Sequence, residues 1–285
     1  VTHFDLHSHT CISDGILAPA ELVAAAARVG IDVFAITDHD TVGGIAPALE
    51  AAAACGLSLV PGIEISATHG ERELHLLAYF APERLDAWEV FQEERRSARW
   101  ERFHAILDKL DSLGAPLERE PLLAERGLSV PGRPHLARAM VDAGHARDFQ
   151  DAFQRYLGSG KPAHVVTRGP TAAEAIAFVA QLPALSVLAH PIYNDLDAVL
   201  EELVELGLDG VEAYHHGHSE EQVGHFAARA RDLGLITTGG SDYHGDPDDP
   251  QGELAGERLG HVALPEAAGA AFVDALAART GWRIP

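Results

Sequence analysis

The chain has 285 residues, 47% of them hydrophobic, which suits one large α/β domain or one domain carrying an insertion. Lys and Arg number 21 against 43 Asp and Glu, and the formal charge of −22 opposes the many phosphate contacts that long-duplex binding needs. No apolar stretch is long enough to cross a bilayer, the opening Val1-Thr2-His3-Phe4-Asp5-Leu6 lacks a signal-peptide pattern, and Cys11 and Cys55 alone make no disulfide framework, so the reducing cytoplasm is expected, with no membrane partner.

Phe4-Asp5-Leu6 reads as a short strand running into the polar His7-Ser8-His9. From Ala18 to Val29, apolar residues at Leu22, Val23, Ala26 and Val29 share one helical face, and Gly30 offers a stop. A buried strand follows at Asp32 to Ile36 and ends in Thr37-Asp38-His39-Asp40. A helix from Ile45 to Cys55, closed by Gly56, leads to a third strand that starts at Leu57 and reaches Glu64. Glu73 to Tyr79 alternates apolar and polar residues around His75. Between about Pro82 and Lys161 charged helical segments, such as Trp88 to Leu113, replace the strand–helix alternation. The expected organisation is therefore one domain formed by 1–81 and 162–285, with 82–161 as a helical insertion capping the site. Alternation resumes with a helix near Thr171, strand Leu185 to Leu188 ending at His190-Pro191, and a helix from Leu196 to Leu206. Strand Asp209 to Ala213, helix Ser219 to Leu233 and strand Leu235 to Thr238 follow, the last running into Ser241-Asp242-Tyr243-His244.

Repeated β-α units predict a largely parallel sheet, because parallel strands need crossover connections. His7, His9, His39, Glu64, His190, Asp242 and His244 all fall at or just beyond the C-terminal ends of expected strands, the face on which barrels of this kind build their sites. Each residue alone has an ordinary reading: Asp14 in an Asp-Gly turn, Asp38-His39-Asp40 as a turn before a cap at Thr41, Glu64 pairing with a base, His190 as a satisfied strand-end histidine. Together they form a nitrogen and oxygen ligand set without thiolates, which suits Mn²⁺, Zn²⁺, Fe²⁺ or Mg²⁺ and excludes a Cys-rich structural zinc site. Cys11 is expected to be a small neighbour rather than a ligand. His75 can face into the barrel or away from it, and His215, His216 and His218 are expected to be a polar loop lining the pocket.

Asp5-Leu6-His7-Ser8-His9-Thr10, Thr37-Asp38-His39-Asp40, Gly62-Ile63-Glu64, Ala189-His190-Pro191 and Ser241-Asp242-Tyr243-His244 resemble, in order and over nearly the whole chain, the motifs of the polymerase and histidinol phosphatase (PHP) family. The resemblance implies a distorted seven-stranded (β/α)7 barrel of PHP type holding up to three divalent ions, with Mn²⁺ first among the candidates. It assigns His7, His9, Glu64 and Asp242 to one ion, Glu64 as a bridge to a second completed by His75 and His190, and Asp14, His39 and His244 to the third. Ser13-Asp14-Gly15, with aspartate where the histidinol-phosphatase branch tends to use histidine, is similar to the branch of 3′,5′-nucleoside bisphosphate phosphatases and 5′-3′ exoribonucleases. Gly132-Arg133-Pro134-His135 and Gly158-Ser159-Gly160-Lys161-Pro162 resemble segments of that same branch.

The resulting expectation is a phosphoric ester hydrolase that takes adenosine 3′,5′-bisphosphate and related small nucleotides to nucleoside 5′-monophosphates, and shortens 5′-phosphorylated RNA from its 5′ end. Glu64, His190 and Asp242 would act through the cations they hold, which make a bound water acidic. Arg133, His135, Arg155 and Lys161 would bind the substrate, Arg133 as a two-pronged phosphate ligand and Lys161 as a point charge. The alternatives are a histidinol-phosphate phosphatase and a metal-dependent amidohydrolase.

Overall fold

The computed structural model describes residues 2–123, 130–245 and 259–285. Seven strands form one sheet in simple sequence order: β1 (Phe4–Asp5), β2 (Val33–Ile36), β3 (Ser58–His69), β4 (Arg72–Phe80), β5 (Ala184–Leu188), β6 (Gly210–His215) and β7 (Ile236–Gly240). The sheet curls until its edges meet, where the Leu6 amide donates to the Gly239 carbonyl and Ser8 bridges to Tyr243, so the strands make a nearly closed barrel. Helices α1 (Pro19–Arg28), α2 (Ile45–Cys55), α7 (Ala172–Gln181), α8 (Leu200–Glu205) and α9 (Glu220–Leu233) surround it. Their starts and stops follow local chemistry. Ser219 and Thr171 cap α9 and α7 through side-chain bonds to the third residue of each helix, and Gly56 and Gly234 end α2 and α9 in the left-handed conformation.

The sheet is largely parallel, as expected, and departs from that at one strand. β4 pairs antiparallel with both β3 and β5, and the β3–β4 link is a tight hairpin at Gly70 in place of a crossover helix. β3 is also longer than expected. Its first residues pair with β2 as far as Pro61, and from Gly62 to His69 it pairs with β4 instead, so Glu64 lies within a strand just past the parallel ladder. The expected helix from Leu196 to Leu206 is divided at Val199, whose φ of −114° and ψ of 7° leave the helical region, into a 3-10 segment, Tyr193–Val199, and α8. Outside the expected elements lies α10 (Glu266–Thr280), which closes the end of the barrel opposite the site. Its Phe272 and Leu276 pack with Phe4, Tyr79 and Leu185, and the Tyr79 and Phe272 rings meet edge to face at 5.0 Å.

The insertion is built from α3 (Leu85–Ser112), α4 (Arg119–Leu123), α5 (Arg133–Asp142), α6 (Phe149–Ala152) and a π-helical segment, Phe153–Leu157. The first turns of α3 belong to the barrel core, where Trp88 and Phe91 stack among Phe80 and Phe178. From Phe103 onward the apolar residues form a separate cluster with Leu107, Leu136, Met140 and Leu157. Burying apolar area on both ends of one helix anchors the insertion to the barrel. Arg99 strengthens that anchor by donating to Asp40 (2.6 Å) and Ser66 (2.7 Å), as does Arg102 by donating to Glu73 (2.9 Å). Among the described residues no helix is long and apolar enough to cross a membrane.

Candidate metal centre

Glu64 is the hub of the open end. Its carboxylate, fully buried, has five imidazole nitrogens around it: His7 Nε2 at 3.2 Å, His9 Nε2 at 3.1 Å and His39 Nδ1 at 3.2 Å from one oxygen, His75 Nδ1 at 2.7 Å and His190 Nε2 at 3.0 Å from the other. Asp242 Oδ1 lies 3.3 Å from His7 Nε2 and 3.1 Å from His9 Nε2. Asp14 completes the far side, 3.6 Å from His39 Nε2 and 3.3 Å from His244 Nε2. Three donor sets emerge, each with its atoms within 4.8 Å of one another: His7, His9, Glu64 and Asp242; His39, Glu64 and His75; His9, Asp14, His39 and His244. Beside the expected grouping, His39 stands with Glu64 and His75 in the second set, His190 is in none of the three, and His9 also enters the third.

The chain takes unusual backbone paths to bring these groups together. His7 and His9 share a face because side chains alternate as the chain leaves β1. Gly240 is required opposite them, since a Cβ there would stand 2.4 Å from that of His7. Asp40, His190 and Asp242 adopt positive φ without being glycine, a conformation that persists only where the surroundings enforce it. The loop carrying Asp14 is tied down by Asp38, which accepts from the Thr10 amide, the Thr10 hydroxyl and the Ser13 hydroxyl, each at 2.7 Å. The inverted β4 settles the direction of His75. Running against its neighbours, that strand has its N-terminal half at the open end, and His75 faces Glu64.

Both nitrogens of His9, Nδ1 of His39, His75 and His190, and Oδ2 of Asp14 are buried without a hydrogen-bond partner. Buried polar atoms are normally paired, so so many orphans in one place, crowded by carboxylates at poor hydrogen-bond angles, fit a set of donors converging on divalent cations. The electrostatics agree. Burial alone would raise the Glu64 and Asp14 carboxyls, yet the surrounding imidazoles outweigh it and hold both well below the ordinary range. Burial likewise opposes protonation of His9, but Asp242, Glu64 and Asp14 outweigh it and push that imidazole up to about 10. His7 is raised in the same way, burial being overcome by Glu212, Asp242 and Glu64.

Glu212 went unnoticed in the sequence. It is fully buried on β6, accepting from His7 Nδ1 at 2.9 Å with one oxygen and from the His190 amide at 2.9 Å with the other. This fixes the His7 tautomer with Nε2 free to face Glu64, the usual task of a carboxylate behind a metal-binding histidine. The only signal in the sequence was a charged residue inside an apolar strand, Gly210-Val211-Glu212-Ala213.

A cavity of about 400 Å³ opens over this cluster, lined by His39, Glu64, His75, His190, Asp242 and His244 below and by Arg133, Phe149, Phe153, Gly158 and Ser159 of the insertion above. Of the expected substrate ligands, only Arg133 lines it. Its guanidinium is 3.7 Å from Glu73, 5.9 Å from the Phe153 ring centre, and four-fifths buried. Arg155 instead pairs with Asp151 at 3.0 Å and stacks on Tyr156, half exposed. Lys161 is exposed and does not line the cavity, although its neighbours Gly158 and Ser159 do. His135 is buried on α5 and does not line the cavity; it accepts from the Gly132 amide, and burial pushes it down to about 4. The polar-loop reading of His215, His216 and His218 also needs correcting. His215 ends β6, buried with Nε2 3.4 Å from Asp242, His218 binds the Ala213 carbonyl, and none of the three lines the cavity. Cys11 is in none of the donor sets.

A PHP domain profile matches residues 3–112. The chain is 35% identical to the 5′-3′ exoribonuclease Rnm of Escherichia coli K12, over 85% of each sequence. It is 31% identical to a 3′,5′-nucleoside bisphosphate phosphatase of Chromobacterium violaceum, over 86% of this chain and 88% of that one. Among solved structures, a candidate metal-dependent phosphoesterase of Bifidobacterium adolescentis superposes with a TM-score of 0.83 at 30% identity, covering 98% of this chain and 97% of the other.

Proposed function

The chain belongs to the PHP domain family of metal-dependent phosphoesterases, and from that premise we propose that its substrates are small nucleotides. It hydrolyses a 3′,5′-nucleoside bisphosphate with one water to the nucleoside 5′-monophosphate and inorganic phosphate, and it removes nucleotides from short 5′-phosphorylated RNA starting at the 5′ end. The observation that carries this reading is that Arg133 lines the same cavity, of about 400 Å³, as the His and carboxylate cluster. The two relatives named for a bisphosphate and for RNA support it.

Up to three cations would be held: one by His7, His9, Glu64 and Asp242, one by Glu64, His75 and His190, and one by Asp14, His39 and His244. When bound, they supply Lewis-acid chemistry, polarising phosphoryl oxygens and making water a nucleophile at neutral pH. Manganese suits the mixed imidazole and carboxylate set, as do zinc and ferrous iron. The chain's own residues do the rest. Glu64, with imidazoles around both of its carboxylate oxygens, would be shared between two cations, and His190 and Asp242 would add donors on either side of it. Arg133 offers planar donors to the phosphate oxygens from the opposite wall, orienting the ester against the cluster. The segment 82–161 acts as a cap that leaves a pocket rather than an open groove. The chain's net charge of −22 disfavours a long duplex, whose phosphates would find few partners.

Phosphate release by the apoprotein reloaded with Mn²⁺, Zn²⁺ or Mg²⁺ tests the proposal, using adenosine 3′,5′-bisphosphate, histidinol phosphate and short 5′-phosphorylated RNA. Nucleotides should be turned over with the higher kcat/KM. A preference for histidinol phosphate, or efficient internal cutting of a circular RNA, would overturn it.

A further inference from the structure

We propose that Phe149 and Phe153 form a stacking wall for a nucleobase on the cap side of the cavity, so that the base, and not only the phosphate, selects the substrate. This rests on the phosphoesterase reading above and goes further by naming the part of the substrate that the cap recognises.

Among the described residues, six large apolar side chains are markedly exposed, and two of them, Phe149 at 45% and Tyr193 at 46%, line this one cavity. They face it from different parts of the chain. Phe149 comes from the cap helix α6, whereas Tyr193 follows β5 and packs its ring 5.3 Å from His190, a member of the cluster. The Phe149 and Phe153 rings are 5.1 Å apart and tilted by 39°, so they support each other and present a continuous aromatic surface. Nothing in the fold of the cap needs Phe149 outside. The cap's apolar cluster is complete with Phe103, Leu107, Leu136 and Met140, each almost fully buried. An aromatic ring left half in water at the mouth of a polar, cation-binding cavity is a cost to the free protein that a flat ligand removes.

The neighbours of the wall decide what kind of flat ligand it takes. Arg133 lines the same cavity as the histidine and carboxylate cluster, its guanidinium 5.9 Å from the Phe153 ring centre, and so offers an anion a cationic partner beside the wall. A ligand that stacks on the wall while giving a phosphate to Arg133 and the cluster must join an aromatic ring to a phosphate through a short polar spacer, which is the layout of a nucleotide. An acyl chain would demand an enclosed apolar slot, and the wall is instead open on one side, with Ser159 and Asn194 at its edge. The heteroatoms of a base can stay hydrated there while its face covers the rings. No group at the wall is placed to read one base against another, since stacking accepts any base.

The test compares adenosine 3′,5′-bisphosphate with its abasic analogue, 1-deoxyribose 3,5-bisphosphate, in the Mn²⁺-loaded full chain and in Phe149→Ala and Phe149→Trp. The wild-type kcat/KM should favour the nucleotide by roughly tenfold to a hundredfold, the range set by one base–aromatic stack. That ratio should collapse towards one in Phe149→Ala, chiefly through KM, and persist in Phe149→Trp. Calorimetric binding of adenosine 5′-monophosphate against ribose 5-phosphate should follow the same order and does not depend on turnover. Equal kcat/KM for the two bisphosphates in the wild type, or an unchanged ratio in Phe149→Ala, would overturn the stacking wall while leaving the phosphoesterase reading intact. Absence of hydrolysis of both by the wild type would instead overturn the nucleotide reading on which it rests.

Discussion

Replacing Glu212 with glutamine should weaken cation binding although Glu212 touches no cation site directly. Both of its partners are donors, the His7 Nδ1–H and the His190 backbone N–H, each at 2.9 Å and each on a different carboxylate oxygen. Glutamine has one acceptor oxygen and one NH₂, so at least one donor must face another donor in a site with no exposure. The Glu212 carboxylate is held below its ordinary range in spite of burial, because the imidazoles of His7, His215 and His190 favour its charge, and the variant removes that charge as well. Loss of one charge-assisted hydrogen bond costs about 1.5–3 kcal/mol, or roughly ten- to a hundredfold in affinity. The same range is typical when the carboxylate behind a metal-binding histidine is removed. The loss should fall on the cation held through His7 Nε2, since only there would the imidazole lose its preferred tautomer. Competition with a fluorescent chelator, followed by elemental analysis at limiting cation, measures it without reference to turnover. Circular dichroism of the cation-free variant separates a binding defect from misfolding. A Glu212→Gln protein that folds and keeps wild-type affinity and stoichiometry would refute the orienting role.

Two further outcomes follow from the same geometry. Arg133→Ala should raise KM or lower kcat/KM for phosphoesters by about ten- to a hundredfold with unchanged cation content, while Arg155→Ala, whose guanidinium is spent on Asp151, should leave kcat/KM near the wild-type value; steady-state kinetics on the two variants checks both, and equal losses would place Arg155 in the site after all. Cation affinity should rise with pH up to about pH 10, because His9, raised to about 10 against the pull of burial, and His7, raised likewise, carry protons in the cation-free chain that an incoming ion must displace; calorimetry in buffers of differing ionisation enthalpy reads the released protons, and a pH-independent affinity with no proton release would mean that these imidazoles are already neutral.

The sequence was most legible where one residue type could do only one thing. Strand-end histidines and acids declared the open face of the barrel, and helix ends such as Gly56 and Ser219 appeared where capping chemistry puts them. Legibility failed where meaning depended on a partner far along the chain. The alternation in Glu73 to Tyr79 marks a strand but carries no information about its direction. Only the short Gly70 turn, too short for a crossover helix, distinguishes a hairpin from another β-α unit. Lys161 looked as suitable for phosphate as Arg133, and Arg155 only less so, since a guanidinium or ammonium in a glycine-flanked or helical segment reads alike whether it faces a cavity or water. What separates them is Glu73, 3.7 Å from Arg133, which also engages Arg102 and His164 and so holds the Arg133 side chain inside the cavity.

Glu212 shows the same dependence in reverse. Its neighbours in sequence, Val211 and Ala213, are both fully buried, and a carboxylate between them is affordable only if its charge is met from elsewhere. His7, 205 positions earlier, and the amide of His190, 22 positions earlier, meet it. The His190 amide is aimed by the positive φ that this residue adopts before Pro191. The strain at His190 and the buried charge at Glu212 are therefore two halves of one arrangement. Each would be unfavourable alone, and together they fix two imidazoles that both point at Glu64. A buried acid within an apolar strand of a histidine-rich barrel is thus a site residue to be sought in the sequence before any ligand is in view, because the fold tolerates it only where imidazoles or cations return the charge.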